Sequence, residues 1–114
     1  VSHVSLSKGV MIRVGDHPHN ALYKPSVDVL MVSVAEVYGA NAIGIVMTGM
    51  GRDGTKGIYE IKKRGGLAIS EDSSTCVVYG MPKSVEEAGY SDYVVPADSI
   101  PETIMSLTGS QFGR

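Results

Sequence analysis

The residues best suited to chemistry lie in one short stretch, Thr48-Gly49-Met50-Gly51-Arg52-Asp53-Gly54. An apolar run, Ala42-Ile43-Gly44-Ile45-Val46-Met47, leads into it, and a helical pattern near Ile58 to Arg64 follows. The stretch therefore falls at the carboxyl end of a buried strand. Open α/β sheets bind ligands at that edge, where helix N-termini offer free N–H groups. Glycines there let the backbone turn sharply and approach a ligand closely. Asp53 has two readings. It can cap the helix that follows it, which position alone favours, or serve as a buried carboxylate that orients an imidazole.

The same stretch matches G-x-G-x-x-G at Gly49, Gly51 and Gly54, with Glu71 and Asp72 roughly 20 residues on, where a ribose-binding acid would sit. A nucleotide-binding module, testable by saturable NAD binding, is the competing function. Against it, Arg52-Asp53 puts a carboxylate near the place of the pyrophosphate. His17 and His19 form a pair around Pro18, but two ligands are too few for a closed zinc site, so they read as solvated loop residues. Cys76 has no CxxC partner and reads as a small buried hydrophobe. No Ser stands in a glycine turn between strand and helix, so no hydrolytic nucleophile is visible.

These residues need a scaffold, and the pattern supplies one. Val10 to Val14 is rich in β-branched residues and reads as a strand, followed by a polar loop from Gly15 to Lys24. Ser26 suits an N-cap, Val27, Leu30, Met31, Val34 and Tyr38 recur at helical spacing, and Gly39 stands where a left-handed residue ends a helix. Gly65-Gly66 closes the next helix, Leu67 to Ser70 reads as a short buried strand, and Glu71 to Thr75 as a polar loop. Pro82 opens a helix that ends at Gly89, Tyr93 to Val95 is a last strand, and Ser99 to Glu102 starts a terminal helix. Strands alternating with helices predict a doubly wound, mainly parallel α/β sheet flanked by helices.

Composition narrows the function classes. A chain of 114 residues holds one domain or a piece of one. With 10 basic and 12 acidic residues and no run of one sign, neither nucleic acid nor an anionic membrane is the expected partner. No apolar run is long enough for membrane insertion. One Cys excludes an intrachain disulfide framework and fits a reducing cytoplasm. The chain opens on Val1 and is read as a cut piece, whose exposed sheet edges favour oligomerisation.

Three motifs occur in an order that identifies a relative. Pro25-Ser26-Val27-Asp28-Val29-Leu30, then the glycine stretch, then Cys76-Val77-Val78-Tyr79-Gly80-Met81-Pro82 resemble the catalytic domain of the CheB-type chemotaxis protein-glutamate methylesterases. The resemblance runs from about His3 to the terminal helix. It implies a Ser-His-Asp esterase on a parallel α/β sheet that hydrolyses γ-glutamyl methyl esters on the cytoplasmic helices of chemoreceptors. Glutamine deamidation, a fused receiver domain controlled by phosphorylation, and no cofactor or metal are further implications. Carried over by motif, Asp53 is the catalytic Asp, Met50 supplies an oxyanion-hole N–H, and Gly49, Gly51 and Gly54 shape the loop. Ser2-His3-Val4 matches the place of the catalytic His, so His3 is the expected base and His17 and His19 take no role. The family's Gly-Ala-Ser-Thr-Gly-Gly nucleophile turn has no match here. Residues 1–114 are thus expected to be the C-terminal portion of a methylesterase domain, without its first strands, and inactive alone. A receptor-binding piece without turnover is the remaining alternative.

Overall fold

The computed structural model describes residues 3–5, 11–13 and 26–109. Two short strands, β1 (His3–Ser5) and β2 (Met11–Arg13), pair antiparallel with His3 opposite Arg13. The main body then alternates α1 (Val27–Tyr38), β3 (Ile43–Val46), α2 (Thr55–Lys63), β4 (Leu67–Glu71), α3 (Met81–Glu87), β5 (Tyr93–Val95) and α4 (Ile100–Thr108). Strands β3, β4 and β5 form a parallel sheet in that order, with Gly44 beside Ala68 and Ser70 beside Val94. The α/β architecture expected from the pattern is present, a parallel sheet with flanking helices.

The core follows from side-chain alternation along the strands. Gly44 and Val46 turn to one face of β3, and Ala68 continues that face on β4. Met31 and Ala35 of α1, Ile58 and Ile61 of α2 and Val85 of α3 close over it. Ile58, Ile61 and Val85 are at most 1% exposed, and burying each side chain contributes about 1.5–3 kcal/mol. Gly44 makes room for this packing. A Cβ there would stand 2.5 Å from the Ile58 Cδ1 and 3.0 Å from the Ile61 Cδ1.

Four boundaries differ from the sequence reading. His3 begins a strand of its own and does not precede the first strand. Helix α2 starts at Thr55, one turn ahead of the apolar periodicity, because a distant carboxylate caps it. Glu71 belongs to β4 and is 2% exposed; its carboxylate accepts from a backbone N–H and a hydroxyl. Gly39 has φ 53° as expected of a helix-ending glycine, but ψ of −121° lies outside the left-handed helical region. The segment of residues 15–24 read as a loop, with His17 and His19, lies outside the described residues.

Candidate active site

The glycine stretch leaves the carboxyl end of β3 and turns into α2. Gly51 at φ 90° and Gly54 at φ 106° take backbone conformations that strain any other residue. The loop is tied to its neighbour, the segment from Cys76 to Gly80. Gly49 donates its N–H to the Val78 carbonyl at 3.0 Å, and Gly80 and Met81 donate to the Gly49 carbonyl at 3.1 and 2.8 Å. The Thr48 hydroxyl receives the Val78 N–H at 2.8 Å. A Cβ on Gly49 would meet the Met81 sulfur, so a larger residue there would displace that side chain. These bonds join the two loops into one rim.

Asp53 stands behind that rim and is 8% exposed. It does not cap α2, the helix that follows it, as position alone favoured. Its carboxylate caps α1 instead. Oδ2 receives the Val27 N–H at 2.8 Å, and Oδ1 receives the Asp28 N–H at 2.9 Å and the Ser26 hydroxyl at 3.4 Å. Ser26 completes the cap as expected by taking the Val29 N–H at 3.2 Å. A carboxylate has about four acceptor positions. Described residues fill three of them, so Oδ2 retains one for a further donor. The arrangement is that of a fixed anion able to accept one more N–H, such as that of an imidazole.

The N–H groups of α2 go elsewhere. Asp28 Oδ1 receives the Gly54 N–H at 2.9 Å and the Gly57 N–H at 2.8 Å. This counts against the nucleotide alternative, because a dinucleotide loop uses such N–H groups for pyrophosphate. Two carboxylates at the helix start would also repel it. Glu71, the proposed ribose acid, is buried, with Oε1 on the Thr48 N–H at 2.7 Å and Oε2 on the Thr75 hydroxyl at 2.8 Å. Asp72 is held in a tight turn by Ser74, whose hydroxyl at 2.6 Å and N–H at 3.2 Å keep its carboxyl below the usual carboxylate range.

Met50 lies at the tip of the rim, 79% exposed, and its backbone N–H donates to no described residue. Val77, 89% exposed, stands on the adjoining loop. Cys76 is half-buried rather than buried. Desolvation, then the Glu71 charge, pushes its thiol pKa up, the opposite of an activated nucleophile. The backbone of β1, which carries His3, runs against α1, the helix whose N-terminus Asp53 caps. Two residues of the site escaped the sequence reading, Asp28 and Glu71 in their bonding roles. Both act on N–H groups more than 20 residues away, for which a sequence carries no spacing signal.

A parallel sheet with its loops gathered at the strands' carboxyl ends, one of them holding a buried carboxylate, defines an α/β domain with its site at the sheet edge. The chain belongs to the CheB methylesterase family, whose family model matches residues 2–104. It is 52% identical over 96 residues to the protein-glutamate methylesterase/protein-glutamine glutaminase of Pyrococcus abyssi, covering 80% of this chain and 26% of that protein. The protein of the same description from Thermotoga maritima is 52% identical over 84 residues, covering 74% of this chain and 24% of the relative. The chain thus spans about a quarter of the length of these relatives. The crystal structure of the Thermotoga maritima CheB methylesterase catalytic domain superposes with a TM-score of 0.80 at 42% identity, over 92% of this chain and 56% of that one. Among the described residues no helix is long and apolar enough to cross a membrane.

Proposed function

We propose that residues 1–114 are the C-terminal portion of a protein-glutamate methylesterase catalytic domain, acting on γ-glutamyl methyl esters of chemoreceptor helices in the cytoplasm. The carrying observation is the buried Asp53 carboxylate, held by two backbone N–H groups with one acceptor position to spare. In this reading Asp53 accepts the N–H of the His3 imidazole and fixes its tautomer. A Ser from an upstream glycine turn attacks the ester carbonyl while His3 takes the hydroxyl proton. The Met50 N–H steadies the negative oxygen that forms. His3 returns the proton to the departing methoxide, and methanol leaves. Water, deprotonated by His3, then releases the glutamate from the acyl-enzyme.

The same chemistry on a receptor glutamine releases ammonia, which makes deamidation a second activity of one site. An upstream receiver domain is the expected regulator. The chain by itself carries the Asp and His positions without the Ser, and is inactive alone. Methanol release from methylated receptor membranes tests this. Full-length protein turns over, and the 114-residue chain at equal concentration does not. Turnover by the short chain within about tenfold of full-length protein would show a nucleophile inside it and overturn the reading. Saturable binding of the short chain to receptor membranes, paired with a full-length protein that releases no methanol, would favour the receptor-binding alternative instead.

A further inference from the structure

We infer that Asp28 is a positioning residue for the Asp53 carboxylate, an inference that rests on reading Asp53 as the triad acid. The two residues hold each other. Asp53 takes the Val27 and Asp28 N–H groups at the start of α1, and Asp28 takes the Gly54 and Gly57 N–H groups at the start of α2. Four hydrogen bonds of 2.8–2.9 Å thus close a ring between two helix N-termini. Gly54 is the residue directly after Asp53, so the Asp28 carboxylate fixes the peptide plane from which the Asp53 side chain departs. Rotation of that plane would swing both Asp53 oxygens.

Glycine makes the reach possible. A Cβ on Gly57 would stand 2.5 Å from the Met31 Cβ and 3.3 Å from the Asp28 Cα. The two helices therefore touch backbone to backbone at this point, and one short Asp side chain spans both N–H groups. Capping of each helix by its own neighbour would stabilise the helices equally well. The exchange adds something that local caps do not, a fixed distance between the Asp53 carboxylate and α1, along which β1 and His3 run.

The test measures kcat and KM for methanol release by full-length protein carrying Asp28→Ala, Asp28→Asn, Asp53→Asn, or Asp28→Ala with Asp53→Asn. A misplaced catalytic group costs up to about 10²-fold, so Asp28→Ala should lower kcat roughly 10–100-fold with KM within about twofold. Asp28→Asn keeps the acceptor oxygen and should restore kcat to within about fivefold of the parent. The decisive reading is the double variant. If Asp28 acts through Asp53, the pair falls no more than about threefold below Asp53→Asn alone. Should the alanine variant fail to fold, Asp28→Ser replaces it with the same expectation, being suited to a first helical turn but too short to hold both N–H groups. Unchanged kcat in Asp28→Ala, or a loss that multiplies fully in the double variant, overturns the inference while a dead Asp53→Asn leaves the triad standing. A fully active Asp53→Asn removes the triad reading and the inference together.

Discussion

The Glu71 carboxylate at the end of β4 receives the backbone N–H of Thr48, the first residue of the glycine loop, at 2.7 Å. Its other oxygen takes the Thr75 hydroxyl at 2.8 Å, and the Thr75 oxygen in turn receives the Ala97 N–H at 2.9 Å. One buried anion thus sets the loop after β3 and the chain after β4 relative to each other, and links both to the segment beyond β5. No ion pair to a described cation compensates it, so hydrogen bonds carry its stabilisation.

Replacing Glu71 should therefore cost stability. Glu71→Ala takes the acceptor from the Thr48 N–H and the Thr75 hydroxyl, and a loss of about 1–2 kcal/mol in urea unfolding is expected. Glu71→Gln keeps an acceptor for Thr48 and should lose less. A change below about 1 kcal/mol for the alanine variant would show that Thr48 finds another partner.

The phenol of Tyr79 donates to Glu86 Oε1 at 2.7 Å, and this bond, with burial and the Glu86 charge, pushes its pKa up to about 12. A folded pKa above the unfolded 10.0 means that the contribution to stability is complete below about pH 10. It drains away as pH rises from there through 12. Tyr79 should ionise late in an absorbance titration of the folded chain, and Tyr79→Phe should remove that step. Tyr79→Phe should also flatten the stability loss over that interval. Unaltered late ionisation in the variant would assign it to another tyrosine.

Much of the fold was legible because periodicity reports burial. The Ala42 to Met47 run, Ser26 before Val27 and Pro82 in a first turn each gave an element within a residue or two. The start of α2 was not legible. Its cap is the Asp28 side chain, 29 residues from Gly57, and the only local clue was a glycine that packing makes necessary. Glu71 misled for a related reason. A carboxylate in a buried strand reads as a loop residue unless its N–H and hydroxyl partners are known. Asp53 was singled out by its place in the glycine turn, yet the helix it caps is set by tertiary contact between α1 and α2.

The choice of His3 over His17 and His19 is open to direct comparison. His3→Ala in full-length protein should abolish methyl ester hydrolysis by removing the general base, a loss of roughly 10⁴-fold or more. The double change of His17 and His19 to Ala should leave turnover within about threefold. The reverse pattern would assign the base to His17 or His19.

The central claim is that the Asp53 carboxylate serves the reaction and not only the start of α1. The most direct measurement is methanol release from methylated receptor membranes by full-length protein carrying Asp53→Asn, alongside its unfolding midpoint. The asparagine keeps an acceptor for α1 but presents an amide where the His tautomer needs an anion. Turnover should fall about 10⁴-fold while the protein stays folded. Near-normal turnover in a folded Asp53→Asn protein would contradict the account.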